Sequence, residues 1–162
     1  MFIDGPVDQP LTRADADPLL SPVRWGAIGA GIFFLVIGFA GFVPTLTLHM
    51  NEIAMGYGSG AMVLGIFQVS VLHNLVHILL GLAGFALSRR TGSARTYLRG
   101  AAVVCAVLWV FGLLVAPGAM ANFVPLNAVD TWAYLVLAAV MVGLSFLPAE
   151  PSTSSRTSLR HA

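Results

Sequence analysis

The stretch WGAIGAGIFFLVIGFAGFV, residues 25–43, holds neither a charge nor a proline. As a helix rising 1.5 Å per residue it reaches across most of the ~30 Å hydrocarbon core of a bilayer. Backbone polar groups find no water there, so a segment in that core must bond to itself as a helix or close into a barrel. The run is too long for the core of a typical secretory signal, and no A-x-A-like cleavage site follows it, so it reads as a retained first span. Three further runs behave alike: 71–88, ended by Arg89-Arg90; 100–116, ended by Pro117-Gly118; and 128–147, ended by Pro148. With 57% hydrophobic and 9% charged residues, the chain has too little charge to cover a soluble surface. The expected fold class is therefore all-α, an integral membrane four-helix bundle over residues 24–147.

Outside these runs the composition changes. Residues 1–23 carry Pro6, Pro10, Pro18, Pro22 and four aspartates, and residues 148–162 are rich in Ser and Thr; both read as disordered tails. Residues 44–70, with His49, Asn51 and Glu52, are expected as an ordered loop, and 59–69 as a short interfacial helix. Residues 89–99 are expected as a basic loop turning at Thr91, Gly92 and Ser93. Arg89, Arg90, Arg95 and Arg99 lie there, Arg13 and Arg24 precede the first span, and Arg156 and Arg160 follow the fourth. The loops 44–70 and 117–127 contain no Arg or Lys, so the positive-inside rule puts both termini in the cytoplasm. The expected location is a cell (plasma) membrane, crossed several times. A net charge of +1 and the lack of a basic stripe leave no footprint for nucleic acid. The single cysteine, Cys105, can form no intrachain disulfide and reads as a small packing residue.

The polar residues inside the runs are few and grouped. VLHNLVHILLG, residues 71–81, puts His73 and His77 one turn apart on a helix face, with Asn74 beside them. A shift of 57 residues lays this head on that of the fourth span: Ser70 on Asn127, His73 on Asp130, Asn74 on Thr131, His77 on Tyr134 and Gly81 on Ala138. Ser70 and Asn127 are both suited to cap a helix N-terminus. On each span the small and polar residues share one arc, which permits close helix contact and keeps polar atoms out of lipid. The expectation is two αα-hairpins in a loose parallel repeat around a tight interior, with the polar residues at its outer end.

HxxxH can present two imidazoles to one metal, but a zinc protease would need Glu where Asn74 stands, and a closed site would have to recruit His49, Glu52 or Asp130. A bis-histidine haem would have to borrow His49 from a loop. Neither a metal nor another cofactor is therefore assigned. No Asp, Glu, Lys or Arg lies mid-membrane, which argues against an ion pump or proton-coupled transporter.

Two stretches carry a family resemblance: SGAMVLGIFQVSVLHNLVHILLGLAGFAL (59–87) and NFVPLNAVDTWAYLVLAAVMVGL (122–144). They resemble the hallmark segments of domain of unknown function family 4383, small bacterial membrane proteins with four spans. The first matches through Gln68, Ser70, His73, Asn74, His77 and Gly81. In the second, Asn127, Asp130 and Trp132 match, whereas Thr131, Tyr134 and Ala138 stand where the family shows Asn, His and Gly. The resemblance implies fold and location and brings no activity with it. Two functions stay open. One is a structural or accessory membrane component without catalysis of its own, packed against itself or a larger membrane assembly. The other is a small-ligand, lipid or metal-binding protein, redox-associated or not, whose site is His73, Asn74, His77, Asp130 and Tyr134.

Overall fold

The computed structural model describes residues 21–149. Four helices dominate: α1 Pro22–Ala40, α2 Val71–Leu87, α3 Thr91–Leu114 and α4 Ala128–Ser145. By length and composition α1, α3 and α4 are apolar enough to cross a membrane. The fourth, α2, is apolar but shorter at 17 residues, or ~25 Å. Most of both expected tails lies outside the described residues.

Apart from α2, α3 and α4 ending one or two residues early, at Leu87, Leu114 and Ser145, the elements differ from those expected in three places. Helix α1 starts at Pro22 rather than 25, because proline suits a first helical turn. It stops at Ala40, where Gly41 caps it through its N–H to Ile37 O. Residues 91–99 are not a loop. Helix α3 begins at Thr91, because charge ends an apolar run without ending a helix, and Ala94, Arg95, Leu98 and Arg99 are all good helix formers. The connection between α2 and α3 is thus only Ser88–Arg90.

The third correction concerns residues 59–69, which form no helix. Strands β1 Thr47–Leu48, β2 Met62–Val63 and β3 Phe67–Gln68 make a small antiparallel sheet in the order β1-β2-β3. Leu64 and Gly65 turn the β2–β3 hairpin with positive φ angles of 53° and 69°, a conformation that interrupts any helix. Ser59 Oγ donates to Val69 O, and Gln68 Nε2 donates to Ser59 O across 2.8 Å, closing the hairpin's base.

Helices α1 and α2 pack as one antiparallel pair. Gly31 lies against Gly81 and Gly84, and Gly38 against Asn74 O and Ile78, so that a Cβ on either α1 glycine would meet the α2 backbone within 3.0 Å. Helices α3 and α4 form the second pair, and the core between pairs holds Phe34, Tyr97, Leu98, Cys105 and Met141. The two pairs repeat over most of their buried positions. The buried set of α2, His73, Asn74, His77, Gly81 and Gly84, maps by the same 57-residue shift onto Asp130, Thr131, Tyr134, Ala138 and Met141, all buried in α4. Likewise Val23, Ala27, Ala30, Gly31 and Phe34 of α1 match Ala94, Leu98, Ala101, Ala102 and Cys105 of α3 in both spacing and burial.

At the end of the bundle away from the sheet, two arginines do equivalent work. Arg24 Nε donates to Ser88 O at the end of α2 (2.8 Å). Arg95 donates to Ser145 O (3.1 Å) and Leu147 O (2.9 Å) at the end of α4. Each guanidinium satisfies carbonyls that a helix C-terminus leaves unpaired. Arg89, Arg90 and Arg99 are exposed at the same end.

Candidate functional site

The heads of α2 and α4 meet beneath the sheet. Ser70 Oγ accepts from His73 N at 3.1 Å and fixes the first turn of α2. At α4 the cap is reciprocal: Asn127 Oδ1 accepts from Asp130 N (2.9 Å), and Asp130 Oδ2 accepts from Asn127 N (3.0 Å). The same Oδ2 accepts from Gln68 N (3.0 Å), while Asn127 Nδ2 donates to Ile66 O (2.7 Å). The α4 cap therefore also pins the β2–β3 hairpin to the bundle.

One turn deeper, Tyr134 Oη lies 2.6 Å from His73 Nε2 and 3.2 Å from His77 Nε2. A hydroxyl has one proton, so it donates to one imidazole and accepts from the other. The shorter contact suits donation to His73, which leaves His77 as the Nε2–H donor. The rings lie against one another: His73 and His77 have centroids 4.7 Å apart at a tilt of 37°, and Phe34 stacks on His77 at 5.6 Å and 20°. All three polar side chains are about 95% buried, and the Nδ1 atoms of both histidines have no hydrogen-bond partner.

Asn74, grouped with these residues in the sequence reading, faces elsewhere. Its fully buried carboxamide lies flat on Gly41, where a Cβ would overlap it, and neither its oxygen nor its nitrogen is bonded. The repeat extends to this contact, since Gly112 meets Thr131 Oγ1 in the same way. Thr131 answers its own polarity by donating to Asn127 O, an option a carboxamide at Asn74 does not take.

Beside the triad is a cavity of about 590 Å³. Helices α1 and α4 touch at their far ends, where Gly26 meets Leu144 and Leu147, and the cavity occupies the gap between them nearer the sheet. His73, His77, Tyr134 and Asp130 lie on one side of it, although almost all of the surface it presents is apolar. Phe33 and Ile37 of α1, Ala133 and Leu137 of α4, and Val63 and Phe67 of the hairpin supply hydrocarbon. Val36, Leu64 and Val136 at its margin are each more than 60% exposed, so it opens on the side of the bundle. Its size suits one small organic molecule.

His49 and Glu52 are exposed, and among the described residues no three His, Cys, Asp or Glu side chains converge as a ligand set. Sequence reasoning also missed Phe34, Gln68 and the cavity. Gln68 carried a signal, since it lay in the family-like stretch. Phe34 carried none, because a ring on a helix face looks the same whether it meets lipid or an imidazole.

The profile described as "Domain of unknown function (DUF4383)" matches residues 24–147, from the first turn of α1 to just past α4. The chain belongs to this family. The DUF4383 region thus comprises the whole helical bundle together with the sheet, the triad and the cavity. No curated protein and no solved structure matches the chain. In its physical character this DUF4383 member is a membrane protein, with apolar helices long enough to cross a bilayer.

Proposed function

We propose that the protein is a four-span plasma-membrane protein that holds a lipophilic molecule in the cavity between α1 and α4. The cavity carries this reading: hydrocarbon walls, a buried His73–Tyr134–His77 and Asp130 face at one end, and an opening on the bundle's side. Hydrocarbon walls favour an apolar body, and a few convergent polar groups fix the orientation of its head. With the arginine end in the cytoplasm by the positive-inside rule, the sheet and the cavity fall in the outer half of the membrane. A side opening there lets a molecule dissolved in lipid enter without crossing water. No catalytic step is needed for this role.

Small molecules extracted from protein purified out of its own membranes test it. Ala133 lines the wall, and Ala133→Trp fills the space from a helix that otherwise stays as it is. One compound enriched with the wild type and lost with Ala133→Trp, at unchanged thermal stability, is the expected outcome. Equal extracts from both proteins would return the polar cluster to architecture alone. The structural or accessory reading has its own support: in the triad, each Nε2 already meets the Tyr134 hydroxyl, so these atoms are satisfied without a ligand.

A further inference from the structure

We propose that the molecule held in the cavity is a lipophilic amine, with its ammonium head on Asp130 and its apolar body along Phe33, Ile37 and Leu137. This rests on the cavity reading above and adds the chemistry of the head. Asp130 is only 3% exposed, yet it lines the cavity. Both bonds it takes from protein, from Asn127 N and Gln68 N, end on Oδ2; Oδ1 takes none among the described residues. A carboxylate oxygen with no donor from the protein, on a residue that lines a hydrocarbon-walled cavity, can take one from a ligand.

Charge narrows the class. No Arg or Lys lines the cavity, and the partly buried guanidiniums, Arg24 and Arg95, are occupied with helix ends at the far end of the bundle. A phosphate or carboxylate head would face Asp130 without a counter-charge, in surroundings where unpaired charge is expensive. A hydroxyl could donate to Oδ1 but would leave the carboxylate uncompensated. A protonated amine supplies both the donor and the charge, and a charge-assisted bond is the stronger kind. Three aromatic residues, Phe33, Phe67 and Tyr134, are among the lining, a residue class that suits a cation. While the site is empty, the N-terminus of α4 and its two backbone donors support the carboxylate.

The test uses the full-length protein in nanodiscs of neutral phosphatidylcholine. Three photoreactive dodecyl diazirines, differing only in a primary ammonium, hydroxyl or carboxylate head, are irradiated with it, and labelling is mapped by peptide. The ammonium probe is expected to label the margin at Val36, Leu64 and Val136 about 10-fold more than the alcohol, with the carboxylate weakest. Asp130→Asn should bring the ammonium probe down to the alcohol's level, and Ala133→Trp should remove all three. If the alcohol or carboxylate labels as strongly as the ammonium, or if Asp130→Asn keeps the preference, the amine assignment is wrong and the cavity reading survives. Labelling by all three probes at the Ala133→Trp background would sink the cavity reading itself. The wild-type ranking decides between heads even where Asp130→Asn lowers stability.

Discussion

A phenol between two imidazoles is an asymmetric arrangement, and its consequences are local. Removing the hydroxyl leaves two buried Nε2 atoms with no partner, whereas an imidazole at the same place could still bond to one of them. Tyr134→Phe should therefore lower stability by about 1–2 kcal/mol, and Tyr134→His, the residue the family pattern shows, by less. Denaturant unfolding of both variants in one detergent checks the order; equal loss would mean that ring packing, not the hydroxyl, matters at Tyr134. Gly41 gives a second residue-scale expectation. A methyl there must displace the Asn74 carboxamide, so Gly41→Ala should cost about 1–3 kcal/mol, as overpacking does. Shrinking the neighbour in Gly41→Ala/Asn74→Ala should recover part of it, a coupling that a double-mutant cycle measures directly. Two independent losses that simply add would show that the two side chains do not press on each other.

Among the elements, the β2–β3 hairpin depends most on one side chain. Asp130 Oδ2 serves both the α4 cap and the hairpin's Gln68 N–H, so Asp130→Ala removes two restraints at once. The N-cap bond from residue 130 N to Asn127 Oδ1 survives in that variant, so only the reciprocal half of the capping box is lost. Hydrogen exchange should therefore quicken at Gln68 and Asn127, whose N–H groups lose their acceptor, while the middle of α3 stays protected; unchanged exchange at Gln68 would mean the hairpin is held by its own contacts. The helix heads were legible because Ser70, Asn127 and Asp130 act within three residues of themselves, and local capping chemistry is written locally. The hairpin was not, since strands of two residues are too short to show a period of two, and VLGIF is apolar whichever way it folds. The start of α3 was hidden for a related reason. Hydropathy marks where a helix leaves hydrocarbon, and α3 continues past that point through Arg99 and Arg95. The partners of Arg24 and Arg95 lie more than 45 residues away in sequence, where no local pattern reaches.

For the molecule as a whole, the repeat explains both what is shared and what differs. Two helix pairs bury matching positions and end on matching arginines, yet the heads carry different chemistry: His73 and His77 on α2, Asp130 and Tyr134 on α4. Joining them places one carboxylate among uncharged polar groups at a single cavity, which neither pair could form alone. Orientation belongs to this scale too. With Met55 exposed beside the sheet and Gly92 exposed at the arginine end, single cysteines at these sites should react oppositely with a membrane-impermeant thiol reagent in whole cells. Met55→Cys is expected to react and Gly92→Cys to stay protected, and the reverse would invert the placement of the cavity. The most direct measurement is a high-resolution structure of the protein taken from its own membranes with the surrounding lipid retained. Density for one discrete molecule is expected between α1 and α4, with its head on the side of Asp130 and Tyr134. A cavity closed by α1 packing onto α4, or filled only by bilayer acyl chains, would contradict the proposal.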